Sequence, residues 1–348
     1  MSETTLYRKY RPTKWSEIVG QDSVVTALRG YLASKQIAQA YLFTGPHGTG
    51  KTSLARIFAR ELGCEDHDLA EIDGASNNGV DEIRELREAV GVLPFSSKYK
   101  IYIIDEVHML SKPAFNALLK TLEEPPSHVI FILATTELNK MPETVVSRCQ
   151  VLTFSRPDPE MLKKVIRSVV KNEGYKIDEK SAHLIALLGE GSYRDTLGLL
   201  QRVMVSSTDK ELILTEVEKI TGAPKRELVK DFVRAILVND SNRALILIET
   251  LGRSGTDMKV LLKLILEELR RGIFASFSPD LLGSDYLAVD KDELIFYQEL
   301  ANGDEAKVLP AILKEFLIAY EQLDSAYLPT LPLELAVTNI ARQRTENK

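Results

Sequence analysis

Two cysteines in 348 residues, Cys64 and Cys149, are too few and too far apart to form a disulfide framework, and neither can hold zinc by itself. That usage fits a reducing compartment, and a cytoplasmic location is the expectation. Histidine is scarce too: His47, His67, His108, His128 and His183 show no metal-ligand spacing to a partner. His108, just after an acidic pair, reads as structural. No run approaches the roughly 18 uninterrupted apolar residues of a membrane span, and the opening Met1–Pro12 lacks the apolar stretch of a secretory leader. The expectation is a soluble chain with no membrane partner. Basic excess is also missing: 44 Lys and Arg stand against 50 Asp and Glu, a formal charge of −6. A free-standing, sequence-independent DNA binder normally carries the opposite balance. Any nucleic-acid contact must therefore come from a local surface, from helix N-termini aimed at phosphates, or from several subunits together. No internal repeat or low-complexity tract is visible.

What is present is enough apolar sequence, 44% of the chain, for two or three separate cores. Up to about Phe154, short apolar runs alternate with helical stretches, as in an α/β domain with a largely parallel sheet. The expected strands are Ala40–Thr44, Ala70–Asp73, Lys100–Asp105, Val129–Thr135 and Gln150–Phe154, with amphipathic helices at Val80–Val90 and Pro113–Glu123. Beyond them, Ser155–Pro159 reads as a turn that starts a helix, and no convincing strand follows. A second break falls at Thr221–Pro224, with Pro224 suited to the first turn of a new helix. Periodic leucines in Asn242–Arg253, Met258–Phe277 and Asp304–Leu323 predict the core of a helical bundle. A coiled coil would need a longer and stricter heptad.

The chemistry gathers at the ends of the predicted strands. Gly45-Pro46-His47-Gly48-Thr49-Gly50-Lys51-Thr52 follows one apolar run and opens a helix-forming segment from Ser53, the strand, loop and helix order of a P-loop. Glycines there let backbone N–H groups turn toward phosphate oxygens, Lys51 supplies a charge, and the Thr52 hydroxyl suits Mg²⁺. Ile101–Glu106 is a buried-strand pattern ending in two acids. Asp105 can hold Mg²⁺ and Glu106 can polarise an attacking water, although two acids after a strand can equally start an ordinary loop. Thr136, ending the Ile132–Thr136 run, can hydrogen-bond that water or the γ-phosphate. Arg148, in Ser147-Arg148-Cys149, is either a surface ion-pair partner or a finger for a neighbouring subunit's nucleotide. Arg194, in Gly191–Asp195, either pairs locally or reaches back to bound nucleotide.

Taken together, these strings resemble the AAA+ clamp-loader ATPases, the gamma/tau group of bacterial DNA polymerase III subunits. The resemblance rests on Tyr7–Pro12, Val19–Gln21, the P-loop, Glu71–Asp73 with Ala75 and Ser76, and Ile103–Leu110. Phe115–Pro126, Ala134–Glu137, Ser147–Cys149 and Gly191–Asp195 complete it. The match is dense to about Leu200 and architectural beyond. It implies an α/β AAA+ P-loop domain at residues 1–155, a small three-helix lid at 156–222, and an all-α collar at 223–348 through which five subunits assemble. Carried over by residue, Lys51 and Thr52 hold phosphate and metal, and Asp105 and Glu106 are the acids of the hydrolytic site. Thr136 and Arg194 sense the nucleotide, and Arg148 is the finger acting in trans. Adenine contacts come from Tyr7, Arg11, Pro12 and Val19, with Tyr193 a weaker candidate.

One departure concerns zinc. The group usually carries a four-cysteine zinc module between the P-loop helix and the next strand, where this chain has only Gly63–Asp68, so no zinc site is expected. Ending near the collar, the chain reads as a short, gamma-like form or as a truncated piece of a longer one. The resemblance implies an ATP- and Mg²⁺-dependent motor subunit that works with other clamp-loader subunits to open a sliding clamp and place it on primer–template DNA. DNA contact is expected near Ser76–Val80 and Lys112–Phe115, helped by Lys98 and Lys100. The rivals are a non-hydrolysing stator subunit, against which the intact Lys51, Thr52, Asp105 and Glu106 argue, and a branch-migration motor, which would end in a winged-helix domain.

Overall fold

The computed structural model describes residues 5–77, 79, 85–86, 88–280, 295–298, 300 and 305–346. Contacts divide the chain into two compact units, Met1–Val169 with Gly189–Gly198, and Val170–Leu188 with Leu199–Lys348. The first is built on five parallel strands: β1 (Ala40–Thr44), β2 (Leu69–Asp73), β3 (Lys100–Asp105), β4 (Val129–Thr135) and β5 (Gln150–Thr153), in the order β2-β3-β4-β1-β5. Register sets Thr44 opposite both Thr135 and Thr153, and Asp73 opposite Asp105. The polar strand ends therefore line one edge of the sheet, where ligands collect in open α/β folds.

The central strands β1, β3 and β4 feed two cores because successive side chains point to opposite faces. Tyr41, Phe43, Ile103 and Ile132 pack with Leu54, Ala55 and Phe58 of helix α2 (Lys51–Glu61), together with Val24 and Leu28 of α1 (Asp22–Ser34). Leu42, Tyr102, Ile104, Phe131 and Leu133 pack with Ala114, Phe115, Leu118 and Leu122 of α3 (Lys112–Glu123). Covered on both faces, β1 and β4 are buried along their whole length, which is why they read as unbroken apolar runs rather than alternating ones. Each large side chain buried this way contributes about 1.5–3 kcal/mol. The edge strands β2 and β5 are only partly covered. Serine caps α3: the Ser111 hydroxyl accepts from the Ala114 N–H, and Pro113 occupies the first turn where no N–H is needed.

The short Gly63–Asp68 link is tied down by a carboxylate. Asp68, 2% exposed, accepts from the backbone N–H groups of Phe95 (2.6 Å), Ser96 (3.1 Å) and Ser97 (2.9 Å). The Phe95 bond, foremost among these, holds the Asp68 carboxyl far below the usual carboxylate range. A carboxylate so depressed contributes stability that is complete above its ordinary value of 3.8 and is lost as pH falls toward the folded-state value. Asp68→Asn is expected to lower the melting temperature by several degrees at neutral pH and to shrink the stability lost on acidification below pH 3.8. Unchanged melting curves at both pH values would show that these bonds stabilise nothing. Both cysteines are held as inert thiols, since burial pushes Cys64 and Cys149 each up to about 11.

After β5 the chain is mostly helical. The Asp158 carboxylate caps α4 (Pro159–Asn172) by accepting from the Met161 N–H at 2.7 Å, so the Ser155–Pro159 segment does start a helix. Then come α5 (Glu179–Leu188), α6 (Tyr193–Ser206) and α7 (Leu214–Thr221), which ends at Gly222 in the left-handed conformation. One expectation fails here: Lys176–Ile177 and Glu211–Leu212 pair as two parallel strands. Two residues per strand are too few to leave a period in the sequence. Pro224 also lies just ahead of the helix it was expected to open, α8 (Arg226–Leu237), whose cap is Lys225.

Helices α8, α9 (Ser241–Arg253), α10 (Met258–Phe277), α11 (Glu305–Gln322) and α12 (Leu331–Glu346) close around Phe232, Leu262, Ile265, Phe316 and Leu333. The leucine periodicities are thus the core of a bundle, as expected. Charges inside this unit are paired. Glu268 accepts from Tyr297 Oη at 2.6 Å and lies 3.2 Å from Arg226. Arg271 donates to Glu267 at 2.9 Å and lies 2.9 Å from His183 Nε2. Unpaired, such buried charges would cost several kcal/mol each (~3–5). Part of the expected Val80–Val90 helix and the start of the expected Asp304–Leu323 helix lie outside the described residues.

Candidate functional site

The turn from β1 into α2 is made possible by glycine. Gly45 has φ +144°, and a Cβ there would meet the Phe154 carbonyl oxygen at 2.4 Å. At Gly48, φ +67°, a Cβ would lie 1.9 Å from Ser192 Oγ. No L side chain fits either position, so the loop closes tightly against its neighbours. Within it the Thr49 hydroxyl donates to the Pro46 carbonyl at 2.9 Å. Lys51, 5% exposed, donates from Nζ to the Gly45 carbonyl at 2.7 Å and the Pro46 carbonyl at 2.8 Å. Burial pulls its ammonium below the ordinary lysine range, and the nearby Glu106 and Asp105 carboxylates oppose that shift.

The acidic pair meets the loop from β3. Thr52 Oγ1 donates to Asp105 Oδ2 at 2.6 Å, and Asp105 Oδ1 accepts the Glu106 N–H at 3.0 Å. Glu106 itself is in the left-handed conformation, φ +44°, a strained state for a residue with a Cβ and one often found at functional sites. Thr136 Oγ1 donates to Glu106 Oε2 at 3.1 Å. A hydroxyl and a carboxylate side by side form a set of hard oxygen donors that fits Mg²⁺. Among the described residues no cluster of three or more His, Cys, Asp or Glu side chains is placed to hold a metal.

These residues face a cavity of about 420 Å³, within the size range of small-ligand sites. Of the residues singled out in the sequence, Tyr7, Arg11, Pro12, Val19, His47 through Ser53, Asp105, Glu106 and Arg194 line it. Tyr193, the weaker candidate, lines it too. Its hydroxyl donates to the Val19 carbonyl at 2.6 Å, burial raises its phenol pKa, and its N–H donates to the Gly48 carbonyl at 2.9 Å. The Arg194 guanidinium stands 5.2 Å from the centre of the Tyr7 ring, His47 Nε2 lies 3.1 Å from Asp195 Oδ2, and Arg11 Nε donates to Ser53 Oγ at 3.2 Å. Gly45 and Pro46 contribute carbonyls to Lys51 rather than cavity wall. Thr136 reaches the site through Glu106.

Arg148 stands apart from this cavity. Its Nη2 donates to Glu123 Oε1 at 2.9 Å and its Nη1 to the Thr144 carbonyl at 2.7 Å. Of the lysines expected near DNA, Lys100 donates to the Ala89 carbonyl at 3.0 Å and Lys98 lies 4.8 Å from the Tyr99 ring centre. The Ser76–Val80 segment lies partly outside the described residues. Among the described residues no helix is long and apolar enough to cross a membrane.

Sequence reasoning missed several wall residues. Gln21 lines the cavity from a left-handed position; its Nε2 donates to the Ser155 carbonyl at 2.7 Å and its Oε1 accepts the Ser155 N–H at 3.1 Å. Tyr10, Ile18, Val165 and Leu197 supply apolar wall. Three of these carried a local signal: Tyr10 and Gln21 stand within the Tyr7–Pro12 and Val19–Gln21 strings, and Leu197 stands three residues after Arg194 on the same helix and so on the same face.

Comparison with known proteins gives two family matches. The profile described as "DNA polymerase III, delta subunit" matches residues 20–79 and 68–158, and that described as "DNA polymerase III subunits gamma and tau domain III" matches residues 212–347. DNA polymerase III subunit tau of Bacillus subtilis is 36% identical over 364 residues, covering 98% of this chain and 64% of that protein. Subunit tau of Escherichia coli is 36% identical over 311 residues, covering 83% of this chain and 48% of that protein. The chain thus spans about half to two thirds of the length of these relatives. Among solved structures, a variant of Thermotoga maritima RuvB aligns with a TM-score of 0.53 at 21% identity, covering 66% of this chain and 79% of that one. At that identity the likeness shows the fold alone.

Proposed function

Because the chain belongs to the gamma/tau family of DNA polymerase III subunits, we propose that it is an ATP-hydrolysing motor subunit of a clamp loader, working in DNA replication. The observation that carries this reading is the convergence of Lys51, Thr52, Asp105 and Glu106 on one cavity. A stator would not need a buried lysine and a paired hydroxyl and carboxylate at the same edge.

In the proposed reaction, water attacks the γ-phosphorus of ATP, the bond to the β,γ-bridging oxygen breaks, and ADP and phosphate leave. Glu106 takes the proton of the attacking water. Lys51 leaves the Gly45 and Pro46 carbonyls to offer its charge to the β- and γ-phosphates, and loop N–H groups donate alongside it. Thr52 and Asp105 would hold Mg²⁺, which when bound supplies positive charge to the phosphate oxygens. Thr136 keeps Glu106 in place. Tyr7, Arg11, Pro12 and Val19 form the adenine side of the cavity. Arg194, tied to the P-loop through the bond from Tyr193 to Gly48, registers whether nucleotide is bound and which one. ATP and ADP must bind two conformations with different affinity for this to do work, and Arg194 and Arg148 carry the difference.

The three-part organisation at residues 1–155, 156–222 and 223–348, assembly of five subunits through the collar, engagement of the sliding clamp and primer–template DNA, and a cytoplasmic location belong to the same proposal. It includes no zinc; a full equivalent of zinc in metal analysis of the purified chain would overturn that part. The test of the function is steady-state ATPase of the chain alone and with its partner subunits, clamp and primed DNA. Strong stimulation is the expected result, and no turnover in any mixture would favour a stator.

A further inference from the structure

We propose that His108 is a positioning residue for Glu106, an inference that rests on Glu106 acting as the base toward water. The His108 side chain is 6% exposed and sits between two carboxylates. Nδ1 lies 3.4 Å from Glu106 Oε2 and is hydrogen-bonded to Thr135 Oγ1 at 3.1 Å. Nε2 lies 3.4 Å from Glu137 Oε1, which is itself held by Lys140 Nζ at 2.8 Å. The Thr135 hydroxyl is fixed in turn, accepting the Glu137 N–H at 3.0 Å. One ring therefore joins the segment after β3, the end of β4 and the segment that follows it.

What makes this more than a satisfied buried histidine is where it meets Glu106. Two side chains meet that carboxylate at the same oxygen: Thr136 Oγ1 donates to Oε2 and His108 Nδ1 lies 3.4 Å from it. Engaging one oxygen from the protein side fixes the carboxylate plane and leaves Oε1 for a water. Glu106 needs such support because its backbone is in the left-handed region, φ +44°, where the side chain's direction is not set by a regular strand or helix. Thr136 gives Oε2 one anchor, which leaves rotation about that bond open; the His108 ring, itself fixed through Thr135, closes against the same oxygen and limits that rotation. A base displaced by about 1 Å can lose on the order of 10²-fold in rate.

The readout is a split between kcat and KM in the most active assembly containing the whole chain. His108→Ala is expected to lower kcat by about 10- to 100-fold while KM for ATP stays within about twofold, because Lys51 and the P-loop are untouched. His108→Asn places an amide where Nδ1 sits and can still meet Thr135 and Glu106, so it should recover most of kcat. If His108→Ala does not fold, His108→Asn beside His108→Leu, which keeps bulk without a polar atom, makes the same comparison. A His108→Ala enzyme with normal kcat, a loss confined to KM, or an equal loss in the alanine and asparagine variants would overturn the inference. Glu106→Gln run in parallel separates the two layers. If it is inactive while His108→Ala is normal, only the inference fails; if it turns over normally, the underlying reading of Glu106 fails.

Discussion

In the assembled complex, Arg148→Ala is expected to lower ATP turnover by on the order of 10³-fold while leaving nucleotide affinity of the isolated chain unchanged. The reason is position. Arg148 is held by Glu123 and the Thr144 carbonyl of its own chain and does not line its own cavity, so its removal disturbs no nucleotide contact made within the chain. A guanidinium presented to a neighbour's site would neutralise charge that develops on the transferring phosphoryl group. The exposed pair with Glu123 is not a competing explanation for a large effect, since such pairs contribute about 0–1 kcal/mol. Turnover should therefore fall only where subunits meet, and the basal rate of the isolated chain should hardly move. An assembled complex that hydrolyses ATP equally well without Arg148 would remove the trans finger from the mechanism.

Glu106→Gln is expected to lower turnover by about 10²- to 10⁴-fold with nucleotide still bound. Glutamine keeps the length and can still meet the Thr136 hydroxyl, but it has no carboxylate to take a proton. Lys51, Thr52 and Asp105 are unaltered, so a fluorescent ATP analogue should bind with Kd within a few-fold of the unsubstituted chain. The variant should then hold ATP without consuming it, and mixed assemblies should lose turnover in proportion to its share. A rate within about threefold of the unsubstituted chain would show that another group activates the water.

Much of the fold was legible because the parallel sheet writes itself plainly. Covered on both faces, β1, β3 and β4 need nearly unbroken apolar runs, and the polar residue that ends each run marks the edge where the chemistry lies. The P-loop was legible for a related reason. Gly45 and Gly48 occupy positions that exclude a Cβ, so the steric requirement is written as residue identity. The paired two-residue strands at Lys176–Ile177 and Glu211–Leu212 were not legible, because a period cannot be read from two residues.

The sequence by itself determined which groups are available, a lysine and threonine at a strand-to-helix turn, two acids ending a second strand and a hydroxyl ending a third, since local backbone geometry and charge select those residue types. It also limited the alternatives through what it lacks, above all cysteine and basic excess. Tertiary structure alone decided how those groups meet. Gln21 clamps Ser155 across 134 positions of chain, Tyr193 reaches Val19 across 174, and His108 lies between Glu106 and Glu137. Contacts of that kind depend on strand order and on the angle at which each helix leaves the sheet. These are set by the packing of two cores over many residues at once, so no local stretch carries them.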